Sequence, residues 1–405
     1  MDTPAASPTE NRINSLDVLR GFAVLGILVM NIQLFAMPSA AYLNPTVWGS
    51  LSGVDGAVWY LSHLLTDQKM MALFSMLFGA GIILFTERAS AQGKSAAAYH
   101  YRRNFWLLLF GAAHAYLLWH GDILFLYALC AFALYPLRHC SARRLIVLGI
   151  VFLLISSVVY LLTAWALPSM PAEVIAEEIQ PSWHPPATQL AAEVAAYQGS
   201  WSQQMAVRVP AAFEMHVFVF LIWGFWRAAG MMLLGMALYK LGILSARADN
   251  SVYWRFLVAG VVVGLPTIMI GIQWNFANGW QLDSMFFGSQ FNYWASVVVS
   301  MAWMAALILL LKHNSMLWLT RRLAAVGRMA LSNYIMHTLI CGFIFYGHGL
   351  GQIGQIDRSG QIIIVFAIWI LQMVVSPIWL RHFRFGPLEW LWRSLTYWRL
   401  QPLAR

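Results

Sequence analysis

Ten times in 405 residues the chain runs through roughly twenty predominantly apolar residues, the length needed to cross the hydrocarbon of a bilayer. Backbone polar groups in such segments must be satisfied without water, and a helix does this within each segment. The expected fold is therefore all-α, a polytopic membrane helix bundle of about ten transmembrane helices. The spans fall near residues 16–37, 68–87, 105–120, 122–138, 145–166, 222–242, 252–273, 291–311, 327–347 and 361–380. Two further apolar segments, Ala57 to Leu65 and Ala211 to Phe225, abut other spans and read as interfacial or re-entrant helices. Hydrophobic residues make up 60% of the sequence and charged residues 10%, where a soluble domain carries about 25% charge. A soluble domain is thereby excluded.

The net charge of +9 is a topology signal and implies no nucleic-acid partner. Arg88/Lys94/Arg102/Arg103, Arg138/Arg143/Arg144, Lys240/Arg247, Lys312/Arg321/Arg322 and Arg381/Arg384/Arg393/Arg399 occupy alternate connections, which positive-inside topology assigns to the cytoplasm. The other connections hold little Lys or Arg, and the longest, residues 167–210, carries Glu173, Glu177, Glu178 and Glu193 and faces outward. An even number of spans puts both termini in the cytoplasm. The chain reads as one polytopic membrane domain, residues 1–405. It comprises a cytoplasmic N-terminal segment (1–15), a periplasmic loop (167–210) and an amphipathic basic cytoplasmic tail (381–405), whose PLEWLWRSLTYW stretch suits the inner leaflet.

Cys130, Cys140 and Cys341 are odd in number and give no disulfide framework. No signal-peptide pattern interrupts the reading of the first apolar run as a membrane helix. Trp48, Trp59, Trp119, Trp280, Trp390, Trp392 and Trp398 cluster near span ends as aromatic belts.

Polar residues inside apolar spans are costly and therefore informative. SLDVLRGFAVLGILVMN at 15–31 puts Asp17 and Arg20 at the mouth of the first helix and Asn31 about three turns deeper, on nearly the same face. Arg20 either lines a cavity or snorkels to the headgroups while pairing with Asp17. His114 lies in FWLLLFGAAHAYLLWHGD, eight residues before Asp122 at a Gly121 turn. The two could form a base and its orienting carboxylate, or Asp122 could simply cap the next helix. His120 is expected at the outer surface. The ninth span carries Arg328, Ser332, Asn333, Tyr334 and His337, with Asn333 and His337 on one face, which reads as a wet cavity or as interhelical hydrogen bonding. Arg227 opens the sixth span, and Asp67 and Lys69 are most simply an interface pair. Phe78-Gly79-Ala80-Gly81 reads as close helix packing. No metal spacing, P-loop or dinucleotide turn is present.

Five stretches carry a resemblance: LDVLRGFAVLGILVMNI (16–32), FSMLFGAGIIL (74–84), HGDILFLYAL (120–129), GRMALSNYIMHTLI (327–340) and FRFGPLEWLWRSLTY (383–397). In this order they resemble the YeiB-like family of bacterial inner-membrane proteins, a family of unknown function, over nearly the whole chain. That family is more distantly similar to integral-membrane acyltransferases, which move an acyl group from cytoplasmic acyl-CoA to an acceptor outside. In many of those enzymes a first-span arginine is followed by a catalytic histidine at the place where this chain has Asn31. The branch acting on heparan sulfate sugars resembles this chain in having asparagine there, but supplies a histidine soon afterwards, and residues 32–58 contain none.

The resemblance implies a transmembrane acyltransferase in the bacterial inner (cytoplasmic) membrane, with acyl-CoA as donor and an envelope glycan, lipid or small molecule as acceptor. His114 or His337 would be the base, with Asp122 orienting His114, and Asn31 would orient the thioester or its oxyanion. Asp17, Arg20, Arg328 and Asn333 would hold the donor, with no metal. A small-molecule transporter or exporter, or a non-catalytic partner of envelope machinery, would use the same polar cavity differently. Membrane lipids are the remaining expected partners, and a homodimer is left open.

Overall fold

The computed structural model describes residues 14–405, which form an all-α membrane helix bundle. Its main helices are α1 (Asn14–Ala36), α2 (Gly53–Ala91), α3 (Ala96–Ala113), α4 (Leu124–Leu134), α5 (Ala142–Ser169), α6 (Trp201–Lys240), α7 (Asn250–Ala277), α8 (Ser284–Lys312), α9 (Leu317–Arg328), α10 (Ala330–Phe345), α11 (Arg358–His382) and α12 (Pro387–Tyr397). Seven of these, α1, α2, α5, α6, α7, α8 and α11, are long and apolar enough to cross a membrane. The shorter α4 and α10 and the arginine-bearing α3 complete the ten expected spans. Of the two segments expected to stand apart, one does: Gly53–Leu65 is a helical stretch of its own, parted from Lys69–Ala91 within α2 by a turn at 66–68 where Gln68 takes φ +60°. The other is corrected, because Ala211 to Phe225 lies inside α6. At 40 residues, α6 runs about 60 Å and extends past the ~30 Å hydrocarbon.

The first helix is the axis of the bundle. Of its apolar window 78% is buried, against 28% in α5 and α7 and 22% in α11, so those three present their side chains to lipid. Helix α1 packs against α2, α8, α9, α10 and α11. Its approach to α9 is backbone to backbone: a Cβ on Gly21 would lie 1.9 Å from the Leu323 carbonyl oxygen, and one on Gly327 would lie 1.9 Å from that of Asp17. Only glycine permits this contact, and it fixes Asp17 and Arg20 beside Arg328 in the chain of α9.

The connections segregate as their charges require. At one end Lys240 donates to the Cys140 carbonyl (2.8 Å), Lys312 to that of Ala248 (2.6 Å), Ser15 to that of Leu244 (2.8 Å), and the Trp392 indole to that of Arg103 (2.8 Å). All the basic connections gather there. At the opposite end Gly354 N–H donates to Ala36 (2.7 Å), Gly347 N–H to Tyr197 (2.8 Å), Ser39 to Glu193 (2.6 Å), and Arg358 to Pro45 and Ser50 (3.1 and 2.9 Å). Not all the tryptophans are belts: Trp59, Trp119 and Trp280 are 1–5% exposed and belong to the core.

The amphipathic α12 lies at the basic end and is tied to α10. The Glu389 carboxylate accepts the N–H groups of Leu331 (2.7 Å) and Ser332 (3.0 Å) and meets the Ser332 hydroxyl (2.6 Å). These are among the orphan donors of the first turn of α10, so a side chain from another element caps it.

Candidate active site

His114 stands where α3 loses its regular pitch. The Trp119 N–H reaches back five residues to the His114 carbonyl (2.8 Å), widening the turn His114–Leu118 into the π form common at functional sites. The chain then reverses, and Asp122 Oδ1 accepts the Phe125 N–H (2.7 Å) at the start of α4. Its other oxygen, Oδ2, is 2.6 Å from His114 Nδ1. Asp122 therefore both caps α4 and pairs with His114. The hairpin closes this tightly because residue 111 is glycine: a Cβ there would lie 2.2 Å from Phe125 N and 2.9 Å from Asp122 Oδ1.

On its far side, His114 Nε2 is 2.8 Å from the Thr338 hydroxyl of α10. The carboxylate can only accept, so Nδ1 carries the proton, Nε2 offers a lone pair, and Thr338 donates to it. Asp122, His114 and Thr338 thus form a carboxylate–imidazole–hydroxyl chain, with the His114 and Asp122 side chains 1% and 0% exposed. Tyr334 and Trp119 stand edge-on to the imidazole, with centroids at 5.3 and 6.1 Å. Thr338 lies near the middle of α10, about 12 Å from its start and about 10 Å from its end.

A cavity of about 240 Å³ begins where this chain ends. Leu117, Leu118, Trp201, Arg208, Thr338, Leu339, Gly342 and His348 line it. Arg208 is fully buried and donates to the Leu117 carbonyl (2.8 Å) and the Gln204 side-chain oxygen (3.0 Å). That Gln204 oxygen is also 3.1 Å from His348 Nδ1. Burial, and the neighbouring Arg208 charge, hold His348 below the usual histidine range.

The remaining residues singled out in the sequence lie elsewhere. His337 Nε2 meets Gln372 (2.9 Å), Gln372 donates to the Asn333 carbonyl (3.0 Å), and Asn333 donates to Ser376 and to the Val326 carbonyl (3.1 Å each). This buried ladder joins α10 to α11 and consumes Asn333, which does not meet Arg20. Arg20 pairs with Asp17 (3.0 Å) and is partly exposed. Arg328 donates to the Arg384 carbonyl (3.4 Å). Asn31 is half-buried, and neither it nor Arg20 lines the cavity. Arg103 lies close enough to Arg20 and Arg393 to feel both charges, and it stacks on Trp392 (4.3 Å).

Two expectations are corrected. His120 is buried, with Tyr197 at 3.2 Å from its Nδ1. Lys69 is 0% exposed and bonds to the His63 carbonyl (2.6 Å) and Asn292 (2.5 Å), while Asn292 bonds to Asp67 (2.7 Å), so an amide bridges the two charges inside the bundle. Arg227, equally buried, bonds to Tyr293 and Ser296 of α8.

The chain is 33% identical to the uncharacterised protein YeiB of Escherichia coli (strain K12), covering 94% of this chain and 95% of that protein. It is 31% identical to the uncharacterised protein YxaH of Bacillus subtilis (strain 168), covering 98% and 97% respectively. The chain belongs to the YeiB-like family. A family described as a protein of unknown function, DUF418, matches residues 238–399. That stretch of the YeiB-like chain contains Thr338 and Glu389, while His114, Asp122 and Arg208 precede it. Thr338 and Arg208 are the residues that sequence reasoning missed. Thr338 follows His337 directly and carries no signal of its own in the sequence, and Arg208 falls within the 167–210 stretch expected as the outer loop.

Proposed function

We propose that this protein is an acyltransferase of the bacterial cytoplasmic membrane, taking an acyl group from acyl-CoA at the basic end and delivering it to a hydroxyl acceptor in the opposite-end cavity. The observation that carries this reading is the chain from Asp122 through His114 to Thr338 at the cavity wall. A hydroxyl within hydrogen-bond reach of a base, itself oriented by a carboxylate, is the arrangement that activates a weak nucleophile. Among these three, Thr338 alone lines the cavity. It is therefore the group assigned to attack.

In the first half-reaction the Thr338 oxygen adds to the thioester carbonyl as its proton passes to His114 Nε2. The C–S bond then breaks, and the thiolate takes the proton and leaves as CoA. In the second half-reaction an acceptor hydroxyl gives its proton to His114 and attacks the Thr338 ester, and the Thr338 oxygen recovers a proton as it departs. Asp122 keeps its negative charge and stabilises the transient imidazolium. Asn31 is left without a role as base, since an amide has no useful basicity. Arg20, Arg103 and Arg393 supply the cationic surface for the donor phosphates.

The test is purified protein in nanodiscs mixed with radiolabelled acetyl-CoA and quenched early. Label on the wild-type chain, released by hydroxylamine and absent from Thr338→Val and His114→Gln, is expected. Acetyl-CoA binding without labelling, or labelling that survives Thr338→Val, overturns the assignment of Thr338 as the acyl carrier.

A further inference from the structure

The cavity has two chemically different walls. Leu117, Leu339 and Trp201 are 47–54% exposed, so its rim is apolar and open on the lipid-facing side of the bundle. The other wall is Thr338, Arg208 and His348. Arg208 is 0% exposed, and among the described residues no carboxylate lies within 4.0 Å of its guanidinium. Its hydrogen bonds go to a carbonyl, an amide oxygen and the Met205 sulfur (3.5 Å), all neutral, and its buried Nε has no partner. A buried guanidinium without a counter-charge is costly unless something supplies the negative charge. Here the guanidinium lines a space large enough for a small molecular group, on the same wall as the hydroxyl that His114 holds.

We propose that this cavity binds an anionic amphiphile through its carboxylate or phosphate, with Arg208 as the counter-ion, His348 beside it, and the apolar part leaving between Leu117 and Leu339. Combined with the acyl-transfer reading, on which this part rests, the acceptor is a hydroxyl-bearing anionic lipid or small acid whose hydroxyl meets Thr338. Gly342 keeps the cavity open. A Cβ there would have its nearest neighbour, His348 Nε2, at 3.7 Å, so a larger side chain enters the cavity without striking the backbone.

The test is binding, with no acyl-CoA present. The fluorescence of Trp201 on the rim reports occupancy when dihexanoyl-phosphatidylglycerol is titrated into protein held in phosphatidylcholine nanodiscs. Glycolate is a second titrant, and dihexanoyl-phosphatidylcholine and glycerol are the controls. Saturable binding of the anionic probes is expected, weakened about 10- to 150-fold by Arg208→Gln, as for loss of a hydrogen bond to a charged group, and abolished by Gly342→Leu. Trp201→Phe should remove the signal, and His337→Gln, in the separate Gln372 ladder, should leave affinity unchanged. If glycolate binds as well as the lipid, the ligand is a free acid; if only the lipid binds, the ligand is a headgroup. Equal response to the neutral controls, or Arg208→Gln binding like wild type, overturns the proposal. Because binding is read without turnover, intact anion binding in a protein that never becomes acylated would defeat only the acyl-transfer reading. Acylation without anion binding would defeat only this one.

Discussion

Gly111→Ala tests whether the His114–Asp122 pair depends on the closeness of the α3–α4 hairpin. The added Cβ would lie 2.2 Å from Phe125 N, and relief to an ordinary 3.4 Å contact requires the start of α4 to retreat by the difference, about 1.2 Å. Asp122 caps that same turn through Phe125, so it moves too, and its 2.6 Å bond to His114 opens to as much as about 3.8 Å, past hydrogen-bonding range. Overpacking of this kind costs about 1 to 3 kcal/mol. Loss of the charge-assisted bond adds about 1.5 to 3, and the better helix propensity of alanine returns about 1. The net expectation is a destabilisation of about 1.5 to 5 kcal/mol, with an activity loss of about a hundredfold from a 1 Å displacement of the catalytic carboxylate. Gly81→Ala is the control, because a Cβ there meets nothing within 4 Å. The assay is chemical denaturation in nanodiscs together with the initial rate of acetyl-CoA turnover, all three proteins side by side. Gly111→Ala with the stability and turnover of Gly81→Ala would refute the claim that residue 111 sets the dyad.

At position 338, serine should retain self-acylation and valine should lower turnover at least about a thousandfold, while His337→Gln, in the separate Gln372 ladder, stays within about tenfold of wild type; steady-state kinetics separate the three. Glu389→Ala removes the acceptor for two N–H groups of α10 and should lower amide-exchange protection at residues 331–333 more than about tenfold, whereas Glu389→Gln keeps an oxygen that accepts both N–H groups, losing only the acceptor for the Ser332 hydroxyl, and should stay within a few-fold. Burial pushes the Glu389 carboxyl above its ordinary value, the Ser332 and Leu331 hydrogen bonds pulling it part of the way back. A folded value above the unfolded one favours the folded state when protonated, so this group's contribution is largest at low pH and declines as pH rises from about 4.5 through the folded value. The wild-type decline should be absent from Glu389→Gln in exchange data corrected for intrinsic rate. In a chain whose native cysteines are replaced, Gln189→Cys should react with an impermeant maleimide in intact cells and Gln92→Cys only after lysis; the reverse pattern would invert the bundle.

The span count and the segregation of connections were legible because apolar length and Lys/Arg placement act locally, residue by residue. Ala211 to Phe225 reads as separate for a local reason as well, since the 40-residue α6 looks like two elements where Glu214 to His216 punctuate it with polar residues. In α2 the same kind of signal is genuine, because Thr66-Asp67-Gln68 forms the turn that parts Gly53–Leu65 from Lys69–Ala91. The depth of Lys69 is not legible, because nothing in sequence announces that Asn292, 223 residues away, will receive it.

The candidate site divides the same way. His114 and Asp122 are eight residues apart, and one hairpin brings them together, so their meeting could be entertained from the sequence. Thr338 is 224 residues from His114 and joins it only because α10 packs against the widened end of α3. A threonine in an apolar helix ordinarily satisfies its hydroxyl on the carbonyl one turn back, as Thr86 does on Ile82 at 2.8 Å, and gives no sign in sequence of doing otherwise. Arg208 was hidden by the opposite error, because an arginine in a loop is expected to reach water. Here α6 begins at Trp201 and carries Arg208 two turns into the bundle, where Gln204 and Leu117 accept its hydrogen bonds and its charge is left facing a cavity. A positive charge spent in this way makes physical sense if the cavity's occupant is itself negative, which is why the ligand's charge, more than its shape, is the first property to measure.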